Sequence, residues 1–300
     1  MAGDSKKILV TGAAGLIGRE LCQQLMAQGH YVVGVDDNSR FPDVRPECNE
    51  YYQWDLVAYT IGYTNNFDYI YHMAAVNGTA SFYNDPNHVL VNNTLCDLKL
   101  FEWAKHNPLT KIIYAGSSEV ISGVNQFPTS EIVDVEIKNI HNPRWSYRLP
   151  KMLSENYLVN SNLNYLIVRF FNVFSEHTGP GHFVYDIVKK ISAHEFILEG
   201  STESRTFCYV SDAVDALITI VDLAKNEIIN IGGDEELTIL DAANIIANAL
   251  GYSNPIWVQH PGKEGSARRR CPDLSKLRSY YPRYNPVSFN KSIKDIKDML

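Results

Sequence analysis

An apolar run, Ile8-Leu9-Val10, feeds straight into a turn with glycine at every third position: Gly12, Gly15 and Gly18. The chain then continues on helical spacing through Leu16, Ile17, Leu21, Leu25 and Met26. Few folds need a strand, three such glycines and a helix in that order. Gly12 permits a tight turn, Gly15 lets backbone approach a pyrophosphate, and Gly18 lets the helix lie close on the sheet. The unpaired N–H groups that open the helix face the anion. The next apolar run, Tyr31 to Val35, ends at Asp36, about 20 residues further on, where a carboxylate accepts hydrogen bonds from an adenosine ribose. A carboxylate there repels an extra 2′-phosphate, which points to NAD as cofactor. Arg40 stands close enough to complicate that choice, and Asp36-Asp37-Asn38 reads equally as a polar turn.

The rest of the first half alternates short β-rich runs with helical ones. Strands are expected at 7–11, 31–36, 50–54, 68–73, 111–116 and 164–170, and the clearest helices at 87–106 and 147–160. Runs without strict alternation belong to strands buried on both faces. The pattern therefore predicts an α/β fold, a Rossmann-type doubly wound parallel sheet. After about residue 173 it breaks up. Helices are expected near 182–193, 212–223 and 240–250, with strand-like runs at 207–210 and 228–231. The division expected is an NAD-binding domain at 1–173 plus about 207–224. A smaller, interleaved C-terminal substrate-binding lobe takes about 174–206 and 225–300.

Composition narrows the function classes. The net charge is −7, which argues against a nucleic-acid partner held on a broad basic surface. No apolar run approaches the roughly 18 residues of a membrane span, and the first residues lack the apolar core of a signal peptide. The five cysteines are scattered and form no CxxC pair. That fits reduced thiols in a cytoplasmic protein, with no metal site. His177 and His182 bracket Thr-Gly-Pro-Gly and read as a solvated loop.

The chemistry-bearing residues cluster in the middle. Tyr147 and Lys151 are four apart at the start of a helical run and so project from one face. A tyrosine is a poor base at neutral pH; an ammonium one turn away favours its phenolate. Ser117-Ser118-Glu119 follows the strand at 111–116, where an α/β sheet offers polar groups to ligands. Ser117 is placed to hydrogen-bond a reacting oxygen, and Glu119 to act as acid or base at a neighbouring carbon.

These segments resemble the extended short-chain dehydrogenase/reductases, specifically the NAD-dependent nucleotide-sugar epimerase/dehydratase family. Matching stretches run nearly end to end: Thr11-Gly12-x-x-Gly15-x-x-Gly18, Trp54-Asp55-Leu56, His72-Met73-Ala74-Ala75, Asn92, Ser117-Ser118-Glu119-Val120, Tyr147-x-x-x-Lys151, Arg169-Phe170-Phe171-Asn172-Val173, Arg205-Thr206-Phe207-x-Tyr209-Val210-x-Asp212 and Arg270-x-Pro272-Asp273-Leu274. The resemblance implies that Asp55 and Leu56 contact adenine and that Met73, Ala74, Ala75 and Phe170 line the dinucleotide path. It implies that Asn92 steadies the surroundings of Lys151. Tyr147 and Lys151 would hold the nicotinamide ribose and activate a sugar hydroxyl. Val76, Ser117 and Ser118 would meet the substrate, and Asn172, Arg205 and Arg270 its diphosphate. Turn roles for Asp55 and Asn172 remain open on the residues alone.

The chain departs from the family pattern at Val120-Ile121-Ser122, at Phe174-Ser175-Glu176 and at Pro150. Proline fits only the first helical turn, so the helix is expected to start close to Tyr147. The family's shared first step makes a 4-keto sugar. Glu119 leans the reading toward a 4,6-dehydratase, with an epimerase beside it and a UDP-glucuronate-type decarboxylase as the alternative. A non-catalytic NAD-binding regulator is the reading from another class, and the presence of both Tyr147 and Lys151 argues against it. Relatives dimerise through a four-helix bundle, for which the helices at 87–106 and 147–160 would serve.

Overall fold

The structure is a computed structural model that describes residues 4–58, 66–253 and 255–294. The chain begins β1 (Lys7–Thr11), α1 (Leu16–Ala27), β2 (Tyr31–Asp36), β3 (Glu50–Gln53), β4 (Tyr69–His72), α2 (Thr79–Asn84), α3 (Pro86–Lys105), β5 (Lys111–Ser117), α4 (Trp145–Val159) and β6 (Asn164–Phe170). It goes on through β7 (Val173–Phe174), α5 (Phe183–Ser192), β8 (Ile197–Glu199), β9 (Ser204–Thr206), β10 (Cys208–Tyr209), α6 (Val210–Ile220) and β11 (Glu227–Ile231). The last elements are β12 (Glu236–Thr238), α7 (Ile239–Ala249), β13 (Val258–His260), β14 (Arg269–Arg270), α8 (Ser275–Tyr280) and α9 (Phe289–Ser292).

Seven strands form one sheet in the order β11-β6-β5-β4-β1-β2-β3, every pair parallel. Chain order reverses between β1 and β4, which opens a crevice beyond their C-terminal ends. One face buries Ile8, Val10, Leu21, Leu25, Leu166 and Val168 with α6 residues such as Val214 and Leu217. The other buries Leu9, Ile70, Ile112 and Tyr114 with α3 and α4 residues such as Leu100, Phe101, Trp103 and Leu158. Phe101 and Trp103 are therefore core residues. A separate core of Phe174, Val184, Ile187, Phe207, Ile239, Ile246 and Phe289 holds the second lobe together, with short strands in the order β12-β9-β14 beside it.

Two expectations are corrected. The run at 228–231, expected in the substrate lobe, is β11 and extends the main sheet, pairing Glu227 with Leu166 through to Ile231 with Phe170. As the edge strand it buries Ile229 and Ile231 in the core shared with α6. Helix α4 starts at Trp145, so Pro150 lies inside it. Tight-turn bonds from Trp145 N–H to Asn142 O (3.1 Å) and from Ser146 N–H to Pro143 O (3.0 Å) wind the lead-in before Tyr147. With no N–H, Pro150 leaves the Ser146 carbonyl without its usual partner.

Candidate active site

The crevice is a cleft of about 1060 Å³ between the sheet and the second lobe. Of the residues given a catalytic, cofactor or substrate role above, all but Asn38 line it. Asn38 is buried, with its amide donating to Phe41 O (3.0 Å) and Val44 O (2.9 Å) and its oxygen accepting from Tyr51. Its side chain is spent on folding its own loop, as its positive φ of 59° suits.

At the glycine turn, Gly12 has φ 66°, and a Cβ there would stand 2.7 Å from Ala74 N. A Cβ on Gly18 would collide with the Gly12 carbonyl oxygen. Both glycines bring helix, turn and neighbouring strand together, and Gly15 is left facing the cleft. Asp36 accepts from Ala14 N–H (3.0 Å) and Asn38 N–H (2.8 Å); burial raises its pKa against those bonds. Asp55 caps its own turn, accepting from Val57 N–H (2.7 Å), while still lining the cleft. Arg40 reaches across to the second lobe, donating to Asn77 O (3.2 Å) and Pro180 O (2.8 Å). His177 is exposed, but His182 is half-buried in the cleft wall, and burial plus Arg40 push its pKa down to about 3.

In the middle of the cleft, the C-terminal end of β5 meets α4. Tyr147 is buried, its ring stacked on Phe82 at 4.9 Å. Lys151 is fully buried, with Nζ 4.6 Å from the Tyr114 ring centre and 5.9 Å from that of Tyr147. Burial raises the Tyr147 pKa, and Lys151 and the Ser117 hydroxyl only partly pull it back. The phenolate expected from Lys151 alone thus needs further positive charge beside the phenol. Ser117 Oγ accepts from Glu119 N–H (3.2 Å), and its hydroxyl is hydrogen-bonded to Tyr147.

The sugar end departs most from the sequence reading. Glu119 Oε1 is held by Arg270 Nη2 at 2.8 Å and by Arg144 Nη2. Burial would raise this carboxyl, but Arg270 and Arg144 outweigh it and bring it down to about 2. A carboxylate so held is a poor proton donor or base near neutral pH. Arg205, expected at a diphosphate, pairs with Glu203 (2.6 Å) and Ser266 Oγ (3.0 Å). Asn172, at φ 42°, donates to Thr206 O (2.7 Å) and ties β7 to β9. Nε of Arg144, Arg148 and Arg270 is buried with no partner.

Sequence reasoning missed Arg144, one turn before Tyr147. It also missed Asn93, whose amide clasps both backbone groups of Val76 (2.7 and 3.0 Å). Asn92 lines the cleft beside it. The readable signal was a polar pair, Asn93 and Asp97, within the buried stripe Val89, Cys96, Leu100, Ala104 of α3. Among the described residues, His72, Cys96 and Asp97 are the group with metal-ligand spacing. Both imidazole nitrogens and both carboxylate oxygens already have protein partners there.

The sequence profile of the NAD dependent epimerase/dehydratase family matches residues 8–232. The chain belongs to that family. It is therefore an NAD-dependent enzyme, and the glycine turn, Asp36 and the 1060 Å³ cleft fit the dinucleotide. Among similar proteins is a UDP-N-acetyl-alpha-D-glucosaminuronate decarboxylase of Bacillus cytotoxicus, 28% identical over 97% of this chain and 96% of the relative. A UDP-glucuronic acid decarboxylase 1 of Danio rerio is 28% identical over 92% of this chain and 68% of the relative. A solved UDP-glucuronic acid 4-epimerase of Bacillus cereus has TM-score 0.79 at 24% identity, covering 98% of each chain; it shares the fold. No described helix is long and apolar enough to cross a membrane.

Proposed function

We propose that this enzyme oxidises C4 of a nucleotide-diphosphate sugar and returns the hydride to the same sugar after a change at C5. The observation that carries the reading is the convergence of Tyr147, Lys151 and Ser117 in one cleft with the glycine turn. Bound NAD supplies a reversible hydride acceptor and a positive ring. Tyr147 accepts the C4 hydroxyl proton, Lys151 stabilises the phenolate, and Ser117 donates to the C4 oxygen. Asp36, Asp55 and the 73–75 segment hold the dinucleotide. Arg205 and Asn172, in the cleft wall, face the diphosphate.

The sugar end favours a hexuronate. Glu119 is tied up as an anion and offers no free acid for expelling a 6-hydroxyl. Loss of carbon dioxide from a 4-keto uronate needs no such acid: the C5–C6 bond breaks, its electron pair passes into the C4 carbonyl, and the enolate takes a proton from water at C5 before hydride returns to C4. The unpartnered Nε–H groups of Arg144 and Arg270, both in the cleft wall, suit a carboxylate. Mass spectrometry of UDP-, GDP-, dTDP- and CDP-sugars, hexuronates included, tests this. Loss of carbon dioxide is expected. Loss of water would restore Glu119 as an acid, and unchanged mass with a new retention time would mean epimerisation.

Two copies pair through α3 and α4 in this reading, since Val91, Leu95 and Leu153 present exposed apolar side chains there. A monomer in analytical ultracentrifugation would rule that out. The five free cysteines support a cytoplasmic location.

A further inference from the structure

Behind the cleft lies a buried polar cluster with no contact to any expected ligand. Asp97 on α3 is 1% exposed and engages three donors. Its Oδ1 accepts from His72 Nε2 (2.9 Å), and its Oδ2 from Tyr114 (2.6 Å) and Ser154 Oγ (2.7 Å). His72 Nδ1 meets Thr11 Oγ1 at 2.7 Å, and Thr11 Oγ1 accepts from Ala74 N–H at 3.3 Å. One hydrogen-bonded chain therefore runs from the dinucleotide wall to α4.

A buried carboxylate in an apolar core is costly unless it compensates a charge. The charge is one helical turn from Ser154: the Lys151 ammonium, itself 1% exposed. No carboxylate oxygen lies within 4 Å of Lys151 Nζ among the described residues. The two charges are instead separated by Tyr114, whose hydroxyl binds Asp97 and whose ring face carries Nζ at 4.6 Å. Asp97 thus acts on Lys151 twice, by its field and by orienting the ring on which the ammonium rests.

We propose that Asp97 is a positioning residue for the reaction, with His72, Tyr114 and Ser154 fixing the buried counter-charge that keeps Lys151 an ammonium beside Tyr147. The proposal rests on the Tyr147–Lys151 roles given above. The electrostatics agree: burial would raise Asp97, yet Lys151 and His72 outweigh it and hold it low. Other groups face this pair from each surrounding element. They are Cys96, kept a thiol by burial, and Asp55 and Asp37 beyond it. On the cleft side are Glu119 and Ser117 near Tyr147, and Arg40. None of these replaces Asp97 as a buried anion behind Lys151.

The test is the titration of Lys151 itself, by NMR of 13C-lysine-labelled protein with the signal assigned by its loss in Lys151→Arg. In Asp97→Asn the Lys151 midpoint should fall by at least about one pH unit, since an uncompensated buried lysine falls by several. The high-pH limb of kcat should move down with it. Ser154→Ala and Tyr114→Phe, each removing one donor to Oδ2, should move both in the same direction by less. They carry the test if Asp97→Asn does not fold. Lower kcat in these variants with an unmoved Lys151 midpoint would make the cluster merely structural and overturn the proposal. A shifted midpoint in a protein that turns over no nucleotide sugar would instead refute only the assigned reaction.

Discussion

Replacing Glu119 with Gln separates two views of the sugar end. The carboxylate lies between Arg144 and Arg270 at 10% side-chain exposure and is brought from 4.5 to about 2. At about 1.4 kcal/mol per tenfold change in proton affinity, that is about 3 kcal/mol of stability. Because the folded value is the lower one, the contribution is complete above pH 4.5 and fades as pH falls toward 2. Glu119→Gln should therefore unfold about 3 kcal/mol more easily in urea, by the same margin from pH 8 down to pH 5. In initial-rate assays followed by mass spectrometry, the loosened arginines should raise KM about tenfold, equivalent to ~1.4 kcal/mol. The turnover number should stay within about tenfold of wild type. A proton-carrying glutamate would behave differently, with kcat falling about 10²–10⁴-fold, KM unchanged and a limb of the pH profile lost. That result would refute the arginine-tether argument.

Tyr147→Phe keeps the ring that stacks on Phe82 at 4.9 Å, so NAD affinity should hold while kcat falls about 10²–10⁴-fold; isothermal titration and rate assays check both. Arg40→Gln removes the bonds to Asn77 O and Pro180 O and should speed NAD dissociation about tenfold, read by stopped-flow displacement, with little change in melting temperature. Gly18→Ala sets a Cβ against the Gly12 carbonyl oxygen. It should cost about 1–3 kcal/mol through overpacking, measured by urea unfolding, together with NAD affinity.

The parallel sheet was legible because its strands are short apolar runs separated by helical spacing, and the glycine turn orients the first βαβ unit. Ile228 to Ile231 misled, since an apolar run does not say which layer it joins; only its pairing with Leu166 through Phe170 does. Pro150 misled about the start of α4 because bonds to Asn142 and Pro143 wind the chain earlier. Residues that face the cleft could be found from motifs, but their partners could not. Glu119 meets Arg144 and Arg270, 25 and 151 positions away. Arg205 is matched to Glu203 and Ser266, and Asn38 turns inward on its loop. Charge compensation of this kind is set by three-dimensional neighbours that local sequence does not specify.

Catalysis turns on removal of hydride from C4 and its return to C4. This is tested most directly with a nucleotide hexuronate deuterated at C4, incubated with the holoenzyme and examined by NMR of the product. The expected product is a pentose that has lost carbon dioxide and carries the deuterium at C4. A pentose product without deuterium at C4, or deuterium released on free reduced cofactor, would contradict it.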